Sequence, residues 1–173
     1  MEEKLIYDGY VKIYDVKKYK NGKVEEYTKV HLRGASAGIV INEEGKMALV
    51  KQYRPIIGVN TLEVPAGTLD KGISPRDIII EELDEECGIS KEDIISVSDS
   101  PILTYKIIEN MSDGEMHIFL IKVKTINSKP KEEDDVDEVN FYTLEEIESL
   151  INDRVVTDPK TLISYFLYKD MIK

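Results

Sequence analysis

Gly67-Thr68-Leu69-Asp70-Lys71-Gly72-Ile73-Ser74-Pro75-Arg76-Asp77-Ile78-Ile79-Ile80-Glu81-Glu82-Leu83-Asp84-Glu85-Glu86-Cys87-Gly88-Ile89 is the stretch on which the reading of this chain turns. Ser74-Pro75 is a helix start: serine as N-cap and proline at the first helical position, where the missing N–H is not needed. Gly88 supplies a left-handed stop, so the pattern predicts a helix from Pro75 to about Cys87. Five of the six residues Glu81 to Glu86 are acids. Like charges four residues apart, Glu81 with Glu85 and Glu82 with Glu86, oppose a helix. They also lie toward the negative end of the helix dipole, and the nearest basic residues along the chain are Arg76 and Lys91. Two readings compete. One is a solvated acidic face. The other is a divalent-cation site, because Glu82 and Glu86 share one helix face with Glu85 beside them, and hard cations such as Mg²⁺ take such oxygen ligands.

Upstream of this helix the chain alternates as strands do. Ala37–Ile41 and Met47–Val50 are joined by a turn at Glu43–Lys46, Gln52-Tyr53-Arg54-Pro55 reads as a strand end, and Thr61–Gly67 is extended. Before them come strands at Leu5–Tyr7, Tyr10–Val16 and Val24–Val30, with Asn21-Gly22 as a hairpin turn. Residues 1–34 are therefore expected to form a small antiparallel sheet ahead of a main domain spanning 35–173. Downstream, Ile94–Val97, Ile102–Ile108 and Met116–Lys124 read as strands, and Lys129 to Glu138 as a charged loop. Thr143-Leu144-Glu145-Glu146 is a capping box and Asp158-Pro159 a second N-cap with proline. The last helix is expected to turn Leu162, Ile163, Phe166, Leu167 and Ile172 toward the core. Strands first and helices late predict an α+β fold, a sandwich around a mixed sheet.

The chain has 173 residues, enough to bury about 70% of its surface in a core without staples. Its net charge of −11 makes it a poor electrostatic partner for nucleic acid or an anionic membrane. No apolar run approaches the length of a membrane-spanning helix, and Met1-Glu2-Glu3-Lys4 is not a signal peptide start. Cys87 is alone, which excludes an internal disulfide and fits a reducing, cytoplasmic setting. In its acidic surroundings Cys87 reads as a structural thiol.

The stretch Gly67 to Ile89 resembles the Nudix box: glycine, five residues, glutamate, seven residues, Arg-Glu, an aliphatic, any residue, Glu-Glu, any residue, glycine, an aliphatic. Gly67, Glu82, Leu83, Glu85, Glu86, Gly88 and Ile89 fall in register. Gln52-Tyr53-Arg54-Pro55, Leu62-Glu63-Val64-Pro65-Ala66-Gly67, Gly34-Ala35 and Asp158-Pro159-Lys160-Thr161 are similar to the ADP-ribose pyrophosphatase branch of that family. The resemblance implies a Nudix-type α/β/α sandwich and a metal-dependent pyrophosphohydrolase. Its substrate would be a nucleoside diphosphate linked to another moiety, ADP-ribose or a nucleotide sugar. It also implies Mg²⁺ or Mn²⁺ as cofactor, and a homodimer formed through the N-terminal sheet.

By the same resemblance, Glu82, Glu86 and the carbonyl of Ala66 are expected metal ligands, with Glu85 assisting catalysis. Arg54 and Glu63 are expected to bind substrate. Three positions depart from the pattern. Ile73 stands for the first glutamate and Glu81 for the arginine, so both members of an expected ion pair are lost together. Gly114 stands where the branch carries a catalytic glutamate, leaving its neighbours Glu115 and Asp113 as candidate bases. These departures keep open an alternative, a catalytically impaired Nudix-fold nucleotide-binding protein. His117 and His31 read as structural histidines, and Tyr7, Tyr10 and Tyr14 as sheet packing or a dimer face.

Overall fold

The computed structural model describes residues 1–126, 129–131 and 136–173. Strands β1 (Glu2–Asp8), β2 (Lys12–Lys20) and β3 (Lys23–His31) form a separate antiparallel sheet in that order. Asn21 and Gly22 both take positive φ, 51° and 73°, which is the two-residue turn that matches strand twist and fixes the β2–β3 register. Val16 is this sheet's buried hydrophobic residue, and much of the rest faces solvent. A hydrogen bond from the Val30 N–H to the Met111 carbonyl, 2.8 Å, ties β3 to the loop before the late strands.

The main sheet is built from β4 (Ala35–Ile41), β5 (Met47–Arg54), β6 (Val59–Glu63), β7 (Ala66–Thr68), β8 (Ile94–Val97), β9 (Leu103–Lys106), β10 (Glu115–Val123) and β11 (Val136–Tyr142). Its central order is β11-β5-β4-β10-β8, with β6 on β5, β7 on β4 and β9 on β10. The β4–β10 pair is parallel and the others antiparallel, so the sheet is mixed. Helix α1 (Pro75–Cys87) covers one face; α2 (Leu144–Asn152) and α3 (Pro159–Met171) cover the other.

The layers follow from strand alternation. In β5, Ala48 and Val50 join Ile79, Leu83 and Cys87 of α1, while Met47 and Leu49 join Ile147 of α2 and Tyr165 of α3. The result is the α/β/α sandwich of an α+β fold with a mixed sheet, preceded by a small antiparallel one. Among the described residues no helix is long and apolar enough to cross a membrane.

Several local expectations shift. The stretch expected as a strand over Ile102–Ile108 narrows to β9. Val136 to Glu138, expected as the end of the charged loop, already belong to β11, whose Val136 and Val139 are buried in the α1-side core. Residues 127, 128 and 132–135 lie outside the described residues, and with them the middle of that loop. In α3 the buried face is Lys160, Thr161, Ser164 and Tyr165, whereas Phe166 and Ile172 are exposed. The apolar periodicity of the helix places Phe166 and Ile172 inward. The helix instead buries the Tyr165 ring and lets its hydroxyl accept a 2.8 Å hydrogen bond from Lys169 Nζ.

Candidate active site

Helix α1 is capped as its sequence demands. The Ser74 side chain accepts from the Asp77 N–H, and Gly88 at φ 63° ends the helix with its N–H on the Asp84 carbonyl. Ile79, Leu83 and Cys87 then form the core ridge. Glu82 and Glu86, one turn apart, lie along the flank of that ridge beneath β7. Glu86 is buried, so its carboxylate needs partners. Oε1 accepts from the Gln52 amide at 3.0 Å and Oε2 from the Ala66 N–H at 3.0 Å. Glu82 lies against Gly67, where a Cβ would collide with its carboxylate and force it to shift.

The loop carrying Ala66 is pinned from three sides. The Val64 N–H donates to Thr161 Oγ1 of α3, the Pro65 carbonyl accepts from the Gly38 N–H, and the Ala66 N–H goes to Glu86. Thr161 in turn donates its hydroxyl to Asp158, the N-cap of α3. The Asp158–Thr161 motif therefore acts on the box from across the sheet.

Between the end of the β5–β6 ladder and the start of α3 lies a cleft of about 530 Å³ lined in part by Arg54, Ile56, Thr61, Glu63, Asp158 and Lys160. Pairing of Val50 with Glu63 and of Gln52 with Thr61 puts Gln52, Arg54, Thr61 and Glu63 on the α1 face of the β5–β6 ladder. Arg54 grips Glu63 with both arms of its guanidinium, at 2.8 and 2.5 Å. Thr61 Oγ1 adds a bond of 2.6 Å, and Lys160 Nζ contacts both Glu63 and, at 3.1 Å, Asp158. Burial pushes the Glu63 carboxyl up, but Arg54, Lys160 and Thr61 outweigh it and hold the group down at about 2.

The acidic row has a neighbour that sequence distance concealed. Lys71, in the loop between β7 and α1, brings its ammonium to 3.1 Å from Glu81, 3.6 Å from Glu85 and 3.9 Å from Glu82. Counting neighbours only along the helix misses a lysine that the loop folds back, and no spacing rule would have found it. Lys160 was visible only as part of a motif, not as a partner of Glu63.

The two candidate bases are held differently. Glu115 opens β10 and, by alternation, shares the α1 face with Phe119 and Ile121. It pairs across the ladder with Lys106 at 2.8 Å, and that bond holds its carboxyl below the usual range. Its backbone carbonyl abuts Gly34, whose own carbonyl accepts from the Leu69 N–H in the box loop. Pairing with β9 is regular from Glu115 to Ile118, so Gly114 adds no bulge to the strand. Asp113 instead turns both carboxylate oxygens to His31 Nδ1 of β3, each at 2.9 Å. His117 is a partner of Thr104, 3.1 Å away.

Hard oxygen donors at Glu82, Glu85, Glu86 and Ala66 suit a divalent cation. The Gly67 cradle under Glu82 and the Lys71 ammonium beside Glu82 and Glu85, a stand-in cation, fit the same group. Among the described residues no group of three or more acidic, histidine or cysteine side chains is placed so as to hold a metal ion. Glu86 is turned to its protein donors and Glu82 toward the loop.

A glycine-bedded glutamate helix against a mixed sheet is the arrangement of the Nudix class, and the chain belongs to this family: the NUDIX domain matches residues 31–164. It is 31% identical over 157 residues to the ADP-ribose pyrophosphatase of Bacillus subtilis (strain 168), covering 88% of this chain and 82% of the relative. It is 32% identical over 149 residues to the methanol dehydrogenase activator of Bacillus methanolicus, covering 83% and 76%. A shorter match, 48% over 44 residues, is to the ADP-sugar pyrophosphatase of Mus musculus, covering 25% of this chain and 20% of the relative. Its general function is that of a Nudix hydrolase.

Proposed function

We propose that this chain is a metal-dependent pyrophosphohydrolase of nucleoside diphosphates linked to a second moiety, with ADP-ribose or a nucleotide sugar as substrate. The observation that carries the reading is the docking of Glu82 and Glu86 onto the Ala66-Gly67 backbone, on the sheet face that also presents Arg54. The pyrophosphatase relatives favour an ADP-linked substrate. Glu82, Glu86 and the Ala66 carbonyl would hold Mg²⁺ or Mn²⁺, with Glu85 beside them. Such a cation, when bound, polarises phosphoryl oxygens and lowers the pKa of water.

Glu63 holds the Arg54 guanidinium through Nε and Nη2, which leaves its remaining N–H donors for a substrate phosphate. Glu115, a carboxylate held at the start of β10 by its bond to Lys106, takes a proton from the attacking water. The water oxygen bonds to phosphorus as the bridging P–O bond breaks, giving two phosphomonoesters. A library of ADP-ribose and nucleotide sugars, assayed for phosphomonoester release with Mg²⁺ and Mn²⁺, tests the reading. Release from none of them overturns it. The engagement of Asp113 by His31 and of Glu115 by Lys106 favours a second reading, a nucleotide binder of impaired hydrolysis. Ligand binding without product release in the same assay would select it.

We also propose that residues 1–34 form the dimerisation unit of a homodimer, the main domain occupying 35–173, in a cytoplasmic setting. The surface of 10455 Å² exceeds by about a fifth the ~8,600 Å² expected for a compact chain of 19.8 kDa. The N-terminal sheet accounts for exposed Leu5, Ile6, Tyr7 and Tyr10 that a partner copy would cover. Light scattering at micromolar concentration should give the mass of two chains; a monomer mass sinks the proposal.

A further inference from the structure

Glu81, Glu82 and Glu85 present three carboxylates along one side of α1, and the Lys71 ammonium lies within 4 Å of all three. Glu81 makes the shortest of the three contacts and holds the lysine swung inward. The Lys71 side chain is 38% exposed and rides on a flexible four-carbon stem, so it can leave without disturbing the core. Its neighbour Gly72, at φ 71°, gives the loop the reversal that aims Lys71 back at the helix.

We propose that Lys71 is a resident counter-ion of the box helix, an ammonium that occupies the approach to Glu82 and Glu85 and must swing out before a divalent cation settles there. Lys71 is thus a positioning residue that sets cation affinity, through charge rather than by ligation. Because the lysine is tethered beside the row, it competes at high effective concentration whatever the buffer contains. The inference rests on the proposed metal dependence.

The test is Mn²⁺ binding to the full chain, read by electron paramagnetic resonance of unbound Mn²⁺, without substrate or turnover. Lys71→Met should tighten Kd about ten-fold at low ionic strength, and the gain should shrink as salt rises. Lys71→Arg, which keeps the charge, should stay near wild type. Lys71→Gln repeats the measurement should the methionine variant fold poorly. If wild type binds Mn²⁺ and neither neutral variant binds it more tightly, the role of Lys71 falls while metal dependence stands. If neither wild type nor the neutral variants bind Mn²⁺, both fall. Equal tightening by Lys71→Arg would also overturn the inference, since charge would then not be the cause.

Discussion

Glu63 and the row Glu81, Glu82 and Glu85 are carboxylates on the same side of the sheet, yet they are solvated in opposite ways. Glu63 is 3% exposed and meets Arg54, Lys160 and Thr61, with Asp158 balancing the second cation. In the acidic row three carboxylates lean on the ammonium of Lys71. Burial explains the difference. A sealed carboxylate must find its counter-charges within the protein or fail to ionise, so Glu63 carries a saturated set. Glu81 and Glu85 are 42% and 47% exposed, so water shares in their solvation and a cation from solution can reach them. Family resemblance assigns both groups to one site; their burial separates a sealed set from a more exposed row.

The largest expected effect is kinetic and falls outside the sealed set. Glu115→Gln should lower turnover by ~10²–10⁴, the usual loss for a general base, while leaving the thermal response to Mg²⁺ intact. Steady-state assays with ADP-ribose read the first and a melting curve the second. Near-wild-type turnover would move the base role to the box glutamates.

The next effect separates the two clusters by stability. Lys160→Met strips a partner from buried Glu63 and should destabilise by about 3 kcal/mol in urea unfolding. Lys71→Met strips a partner from a half-exposed row and should change stability by less than ~1 kcal/mol. Equal losses would erase the distinction. The Glu63 pair also predicts acid lability. A carboxyl held at about 2 when folded gives stability that is fully present above its unfolded value near 4.5 and is lost as pH falls toward 2. The size is of order 3 kcal/mol, since each pKa unit is ~1.4 kcal/mol. Glu63→Gln should flatten that part of the stability–pH curve.

Mg²⁺ should then raise the melting temperature by about 5 °C at a hundred-fold excess over Kd, and Glu82→Gln should remove most of that rise. Lack of any shift in wild type would return the row to a plain solvated face.

Much of this was legible in the sequence because it is local. Ser74-Pro75 and Gly88 bound α1, Asn21-Gly22 turns the hairpin, and Thr143 with Glu146 caps α2, each through bonds to near neighbours. Glu82 and Glu86 could be placed on one helix face from their spacing alone. What stayed hidden depends on tertiary closure. Lys71 reaches Glu81 only when the loop folds back, and Lys160 meets Glu63 across 97 residues. The burial of Tyr165 in place of Phe166 likewise reflects which face of α3 meets the sheet, which the apolar pattern of that helix leaves ambiguous.

The smallest effect concerns Asp113, a carboxylate intermediate between the two clusters. Its side chain is 37% exposed and engages His31 and, at 3.7 Å, Lys29, both from β3 of the N-terminal sheet. Partial burial pushes its carboxyl up, but the His31 hydrogen bond and the charges of His31 and Lys29 prevail and hold it below its usual value. A depressed folded pKa means that the contact contributes above the unfolded carboxyl value and fades as pH drops through the folded one. Exposure and solvent screening keep the contribution within ~0.2–1 kcal/mol. Asp113→Asn should therefore loosen the N-terminal sheet slightly, seen as faster amide exchange at Val30, whose N–H bonds the neighbouring Met111 carbonyl. Turnover should stay within a few-fold of wild type, because this carboxylate serves the junction between the sheets. A loss near 10²-fold would reverse the assignment, making Asp113 the base and leaving Glu115 as the ladder partner of Lys106.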